Sequence, residues 1–101
     1  MSGDMNLLEF YPALVREIIS EQEMIIGPLA WEQAGKVSNL VVDKKTCVIE
    51  GRDPKKVVED LVIRYAKLFG QASVDTCRVA AGRIVRDYGE KNDALPQNLQ
   101  T

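Results

Sequence analysis

Glycine and proline divide this sequence into short segments, and their positions restrict where helices can begin and end. The clearest boundary is the stretch Gly51-Arg52-Asp53-Pro54, where Asp53 can cap a helix and Pro54 can be its first residue. Apolar residues then recur at helical spacing until Gly70, which is placed to end that helix. A further amphipathic stretch stops at Gly89. The second half of the chain is therefore predicted to hold two consecutive helices.

The first half carries weaker boundaries of the same kind. Pro12 suits the first turn of a helix, and an apolar stripe at helical spacing continues from there to Ile26. Because a proline disfavours the helical conformation of the residue before it, we expect a break at Tyr11. Gly27-Pro28 ends this helix and allows a short one over residues 29–37.

Two short β-branched runs lie between the helical halves. Leu40-Val41-Val42 and Cys47-Val48-Ile49 are separated by the polar residues 43–46, which predicts a β-hairpin over residues 40–49. A two-stranded ribbon is marginal alone, so it must lie on helices or pair with another chain. The predicted fold class is mainly helical α+β, in the order α-α-β-β-α-α, with the small hairpin packed on a helical bundle.

Length and composition suggest one soluble domain. The chain has 101 residues, of which 46% are hydrophobic and 28% charged, with a net charge of −2, so neither a nucleic acid nor a membrane is an obligatory partner. We expect an N-terminal arm over residues 1–11, a globular helical domain over residues 12–89 and a disordered polar tail over residues 90–101. Because no apolar run reaches about 18 residues and no signal peptide is present, the predicted location is cytoplasmic.

The residues that most often carry chemistry are scarce. There is no histidine, which removes the commonest general base and the commonest transition-metal ligand. Cys47 and Cys77 therefore have no imidazole to activate them or to complete a usual zinc site, and we interpret both as buried thiols. No glycine-rich phosphate-binding motif occurs. The chain is predicted to be neither an enzyme nor a carrier of a cofactor or metal.

One polar residue interrupts the apolar stripe of the first helix. Gln22 lies near the centre of that stripe, where a buried amide needs a partner. Either the stripe is only partly buried at this turn, or Gln22 lies in a helix–helix seam and determines register or oligomeric state. Met24 and Ile63 lie off the apolar faces of their helices, and together with Gln22 and Trp31 they are the candidate interface residues. The leading hypothesis is a non-catalytic protein-interaction or regulatory domain that forms a homodimer.

Two alternatives have their own residues. Arg78, Arg83 and Arg86 lie on the side of the last helix away from its apolar face, as in the reading helix of a helix-turn-helix DNA-binding transcriptional regulator. The net acidic charge and the neighbouring Asp75 and Asp87 oppose this reading.

The other alternative is a small-molecule-binding domain. Its ligand pocket would lie between the hairpin and the helices, with Trp31, Tyr65 and Tyr88 as walls.

Overall fold

The fold is a helical bundle with one small hairpin, described by a computed structural model for residues 3–100, with side chains from residue 8 onward. The elements are α1 (Gly3–Ile26), α2 (Leu29–Ala34), β1 (Leu40–Asp43), β2 (Thr46–Ile49), α3 (Pro54–Phe69), α4 (Gln71–Tyr88) and two 3-10 helices, η1 (Asn92–Ala94) and η2 (Gln97–Leu99). The predicted fold class and the order α-α-β-β-α-α are confirmed. Within residues 3–100, no helix has both the length and the apolar character needed to cross a bilayer.

Helix α1 spans the whole molecule. Its 24 residues give a length of about 36 Å, close to the longest dimension of the molecule, 39 Å. α1 packs most extensively on α4, which packs in turn on α3. The two ends of α1 therefore mark the two ends of the molecule.

The start of α1 differs from the predicted arm. Residues 3–11 are helical and Pro12 lies inside the helix, with no break at Tyr11. A proline inside a helix costs about 3 kcal/mol, but Phe10 and Tyr11, which directly precede Pro12, are buried, and burying a large apolar side chain contributes about 1.5–3 kcal/mol. Tertiary packing therefore offsets the local cost. Residues 1 and 2 of the predicted arm lie outside the described residues.

The hairpin is confirmed and lies on helices. β1 and β2 pair antiparallel, with Val41 opposite Val48 and Val42 opposite Cys47. β2 packs against α1 and β1 against α2, and the side chains alternate between a buried inner face and an exposed outer face. The turn is Lys44-Lys45, with Lys44 at φ 58°. The intramolecular helices thus provide the support that an isolated ribbon lacks.

The boundaries of α3 follow the local signals in the sequence. Asp53 accepts a hydrogen bond from the Lys56 backbone N–H at 3.1 Å, and Pro54 is the first helical residue. Gly70 follows the last residue of α3 with φ 80°, a conformation that glycine adopts without steric cost.

The C-terminal segment also differs from expectation, because residues 90–100 fold back onto the bundle instead of forming a disordered tail. Leu95 and Leu99 are buried in the core. The Tyr11 hydroxyl donates to the Ala94 carbonyl oxygen at 2.7 Å, and the Asn98 amide donates to the Glu59 carbonyl oxygen at 3.3 Å. These two leucines, four residues apart, provide the apolar surface that holds an otherwise polar segment. Thr101 lies outside the described residues.

Candidate functional site

Gln22 lies in a seam between two helices of the same chain. Its side chain is fully buried, and its Nε2 donates to the Ser73 carbonyl oxygen at 2.9 Å and to Cys77 Sγ at 3.4 Å. The Ser73 hydroxyl donates to Gln22 Oε1 at 3.3 Å. The amide therefore links α1 to α4, and it is enclosed by the chain's own helices.

Trp31, the second candidate interface residue, also faces inward. Its indole N–H donates to Glu23 Oε1 at 3.0 Å, while Lys45 Nζ lies 3.2 Å from Glu23 Oε2. The hydrogen bond from Trp31, followed by that from Lys45, lowers the pKa of the Glu23 carboxyl. This carboxylate joins α1, α2 and the hairpin turn, so the two buried candidates stabilise the fold of the single chain.

The aromatic side chains proposed as pocket walls fill space instead. Tyr65 is fully buried, its hydroxyl donates to the Ala30 carbonyl oxygen at 2.6 Å, and burial raises its pKa. The Tyr88 ring packs edge-on against Phe10, with 6.1 Å between ring centroids. Trp31, Tyr65 and Tyr88 line none of three surface depressions formed by the described residues.

Of the three arginines that suggested a DNA-reading helix, Arg83 is held by acidic side chains. Its guanidinium donates to the carboxylates of Glu17 and Glu21, the latter at 3.0 Å. Arg78 lies 3.8 Å from Asp75, while Arg86 is exposed in the last turn of α4. Because Arg83 lies more than sixty residues from Glu17 and Glu21 in the sequence, the pattern of α1 alone does not reveal this partner.

The two thiols are buried and free. Burial raises the pKa of Cys77 to about 11, although the hydrogen bond from Gln22 acts in the opposite direction. Burial also raises the pKa of Cys47. Thiols with raised pKa values stay protonated near neutral pH, where they are poor nucleophiles and poor metal ligands. Within residues 3–100, no three histidine, cysteine or acidic side chains are grouped so that they could hold a metal ion.

One end of the bundle carries a group of exposed apolar side chains, which we call the apolar end. Its members are Met24, Ile25, Leu29 and Leu68, whose relative exposures are 80%, 65%, 37% and 50%. They come from the end of α1, the start of α2 and the end of α3. Isolated exposed apolar residues are ordinary on protein surfaces, but a group contributed by three helices requires a structural reason.

The topology brings these three helix ends together. Because the Gln22 amide bonds to the Ser73 carbonyl, the last turn of α1 lies beside the first turn of α4. Gly70 alone connects α3 to α4, so the end of α3 lies at the same place. α2 begins directly after the turn Gly27-Pro28 that ends α1. The apolar end is therefore a property of the tertiary fold.

Two of the candidate interface residues lie on or next to this surface. Met24 belongs to the apolar end, and the exposed Ile63 lines a depression of about 290 Å³ along α3 that reaches Leu68. Sequence reasoning missed Ile25, Leu29 and Leu68, because each fits the apolar spacing of its own helix. A single-helix pattern does not show where the neighbouring helices stop covering it.

Comparison of the chain with protein-family models, with curated proteins and with solved structures found no match in any of the three. A function for this chain is therefore inferred from its own surfaces.

Proposed function

We propose that this chain is a non-catalytic protein-interaction domain that forms a homodimer through the apolar end. The observation that carries the proposal is the grouping of four large, exposed apolar side chains from three helices at one end of the molecule. Apolar patches of this kind, bordered by polar residues, mark protein–protein contact sites. The absence of histidine and the burial of both thiols support a role in binding and not in catalysis.

The shape of the molecule favours a second copy as the partner. The chain measures 39 × 28 × 19 Å, and the apolar end lies at one extremity of its long helix. A two-fold axis through that end would place the same residues of two copies against each other, as in most homodimers.

Two exposed side chains of opposite charge lie next to the apolar end, so two copies of the chain can pair them. Glu32 follows Leu29 on α2, and Lys67 precedes Leu68 on α3. Both side chains are exposed, and neither makes an ion pair within the part of the chain that the structure describes. In a two-fold arrangement, Glu32 of one copy can face Lys67 of the other, which would favour this orientation over alternatives.

Size-exclusion chromatography with light scattering tests the proposal. We expect the wild-type chain to elute as a dimer at micromolar concentration. Ile25→Glu should convert it to a monomer, because two carboxylates would then be buried at the two-fold axis. Val79→Glu is the matched control, since Val79 is 61% exposed on α4 and lies outside the apolar end, so this variant should remain a dimer.

A charge exchange distinguishes the apolar end from other modes of association. Lys67→Glu should weaken the dimer, and the double variant Glu32→Lys with Lys67→Glu should restore it. A wild-type monomer at micromolar concentration would contradict the proposal. So would a dimer that Ile25→Glu and Val79→Glu weaken equally.

A further inference from the structure

A second concave surface lies at the opposite end of α1 from the apolar end. This groove has a volume of about 300 Å³ and runs between the start of α1, the end of β2 and the loop before α3. Its lining is Leu8, Tyr11, Pro12, Ile49, Gly51, Arg52 and Pro54. Six of these residues are apolar or lack a charged group, so the groove suits an apolar ligand group with one anionic neighbour.

The backbone in the walls of the groove presents polar groups outside the regular hydrogen bonds of α1 and of the hairpin ladder. Because Pro12 has no N–H, the carbonyl of Leu8 lacks its usual i+4 donor in α1. The Glu50 N–H donates to the Asn39 carbonyl oxygen at 2.8 Å, so the next pair along the antiparallel ladder, Leu40 with Ile49, is the non-hydrogen-bonded type. The N–H and C=O of Ile49 therefore point away from β1, and neither makes a backbone hydrogen bond within the described residues.

Arg52 provides the one cationic side chain of the groove. It is exposed and makes no ion pair with the side chains of residues 8–100, the part of the chain whose side chains the structure describes. The neighbouring Asp53 uses its carboxylate to cap α3, accepting from the Lys56 N–H at 3.1 Å. The guanidinium of Arg52 is therefore available to a carboxylate from outside the chain.

We propose that this groove binds an extended peptide that adds to the edge of β2, places an apolar side chain between Leu8 and Ile49, and directs its C-terminal carboxylate to Arg52. The free strand edge matches the main chain of a peptide, as in other strand-addition sites. The volume, about 300 Å³, is at the lower limit for small-molecule pockets and suits a single side chain better. This site is independent of the proposed dimer.

NMR titration of the ¹⁵N-labelled chain with the peptide acetyl-Thr-Val-Thr-Leu, as the free acid and as the C-terminal amide, tests the proposal. We expect shifts at the amides of Ile49, Gly51 and Arg52, and slower hydrogen exchange at Ile49 when the peptide is bound. The amide form should bind about two- to fivefold more weakly, the range for an exposed ion pair.

Variants separate the two parts of the site. Arg52→Ala should make the free acid and the amide bind equally, whereas Arg86→Ala, the control at a distant exposed arginine, should keep the preference. Leu8→Asp changes an exposed side chain, so the fold should persist while peptide binding is lost. Binding of octanoate with shifts in the same groove, without binding of the peptide, would overturn the proposal. Peptide-induced shifts confined to other surfaces would overturn it as well.

Discussion

At the scale of single residues, Gln22 is a polar side chain in the middle of the otherwise apolar seam between α1 and α4. We predict that Gln22→Leu lowers the free energy of unfolding by about 1–3 kcal/mol, because the buried Ser73 hydroxyl loses its acceptor. Gln22→Leu with Ser73→Ala removes both partners and should recover most of this loss. Urea unfolding followed by circular dichroism measures the cycle, and additive effects of the two substitutions would contradict the coupling.

Cys77 accepts a hydrogen bond from Gln22. Its raised pKa predicts that the free energy of unfolding falls at alkaline pH. Its folded pKa is raised to about 11 from an ordinary value of 9.0, so the native state keeps a proton that the unfolded state loses between these values. The stabilisation is therefore complete below about pH 9 and falls as pH rises toward 11, by about 1.4 kcal/mol per pH unit. Urea midpoints from pH 7 to 10.5 should show this decline, with a shallower slope for Cys77→Ser. An equal slope in both proteins would assign the loss to other groups.

At the scale of elements, the sequence was sufficient wherever the signals are local. Asp53 and Pro54 at the start of α3 and Gly70 at its end act within one turn of the backbone, and the observed helix has the bounds that they predict. The hairpin was also predictable, because its β-branched runs alternate between inner and outer faces. Its strands extend one residue further toward the turn on each side, through Asp43 and Thr46.

The sequence did not predict features that depend on packing between residues far apart in the chain. Pro12 favours a break locally, and only the burial of its neighbours keeps α1 continuous. The candidate interface residues show the same difference between local and distant effects. Met24 was predicted as an exposed side chain and is exposed, whereas Gln22 and Trp31 are enclosed by helices whose positions no single-helix pattern reveals. Leu68 fits the apolar face of α3, yet it is exposed because α3 reaches the end of the bundle there.

At the scale of the whole molecule, the C-terminal segment closes the bundle by packing against the start of α1 and against α3 and α4. Tyr11 bonds to the Ala94 carbonyl, and Lys55 Nζ donates to the Asp93 carbonyl oxygen at 2.8 Å. η2 packs on both α3 and α4, and its Leu99 is buried with them. The last residues therefore belong to the same cooperative unit as the helices, although their composition is polar.

This closure predicts a large effect from one substitution near the end of the chain. Leu99→Ala should lower the free energy of unfolding by about 2–5 kcal/mol, because it removes buried methyl groups and leaves a cavity between α3 and α4. Gln97→Ala changes an exposed residue two positions earlier and should stay within about 0.5 kcal/mol of wild type. Urea unfolding is read by the fluorescence of Trp31, which lies on α2 and reports the bundle. A segment that frays independently would leave the Trp31 transition of Leu99→Ala at the wild-type midpoint, whereas a segment that completes the core shifts that transition to lower urea.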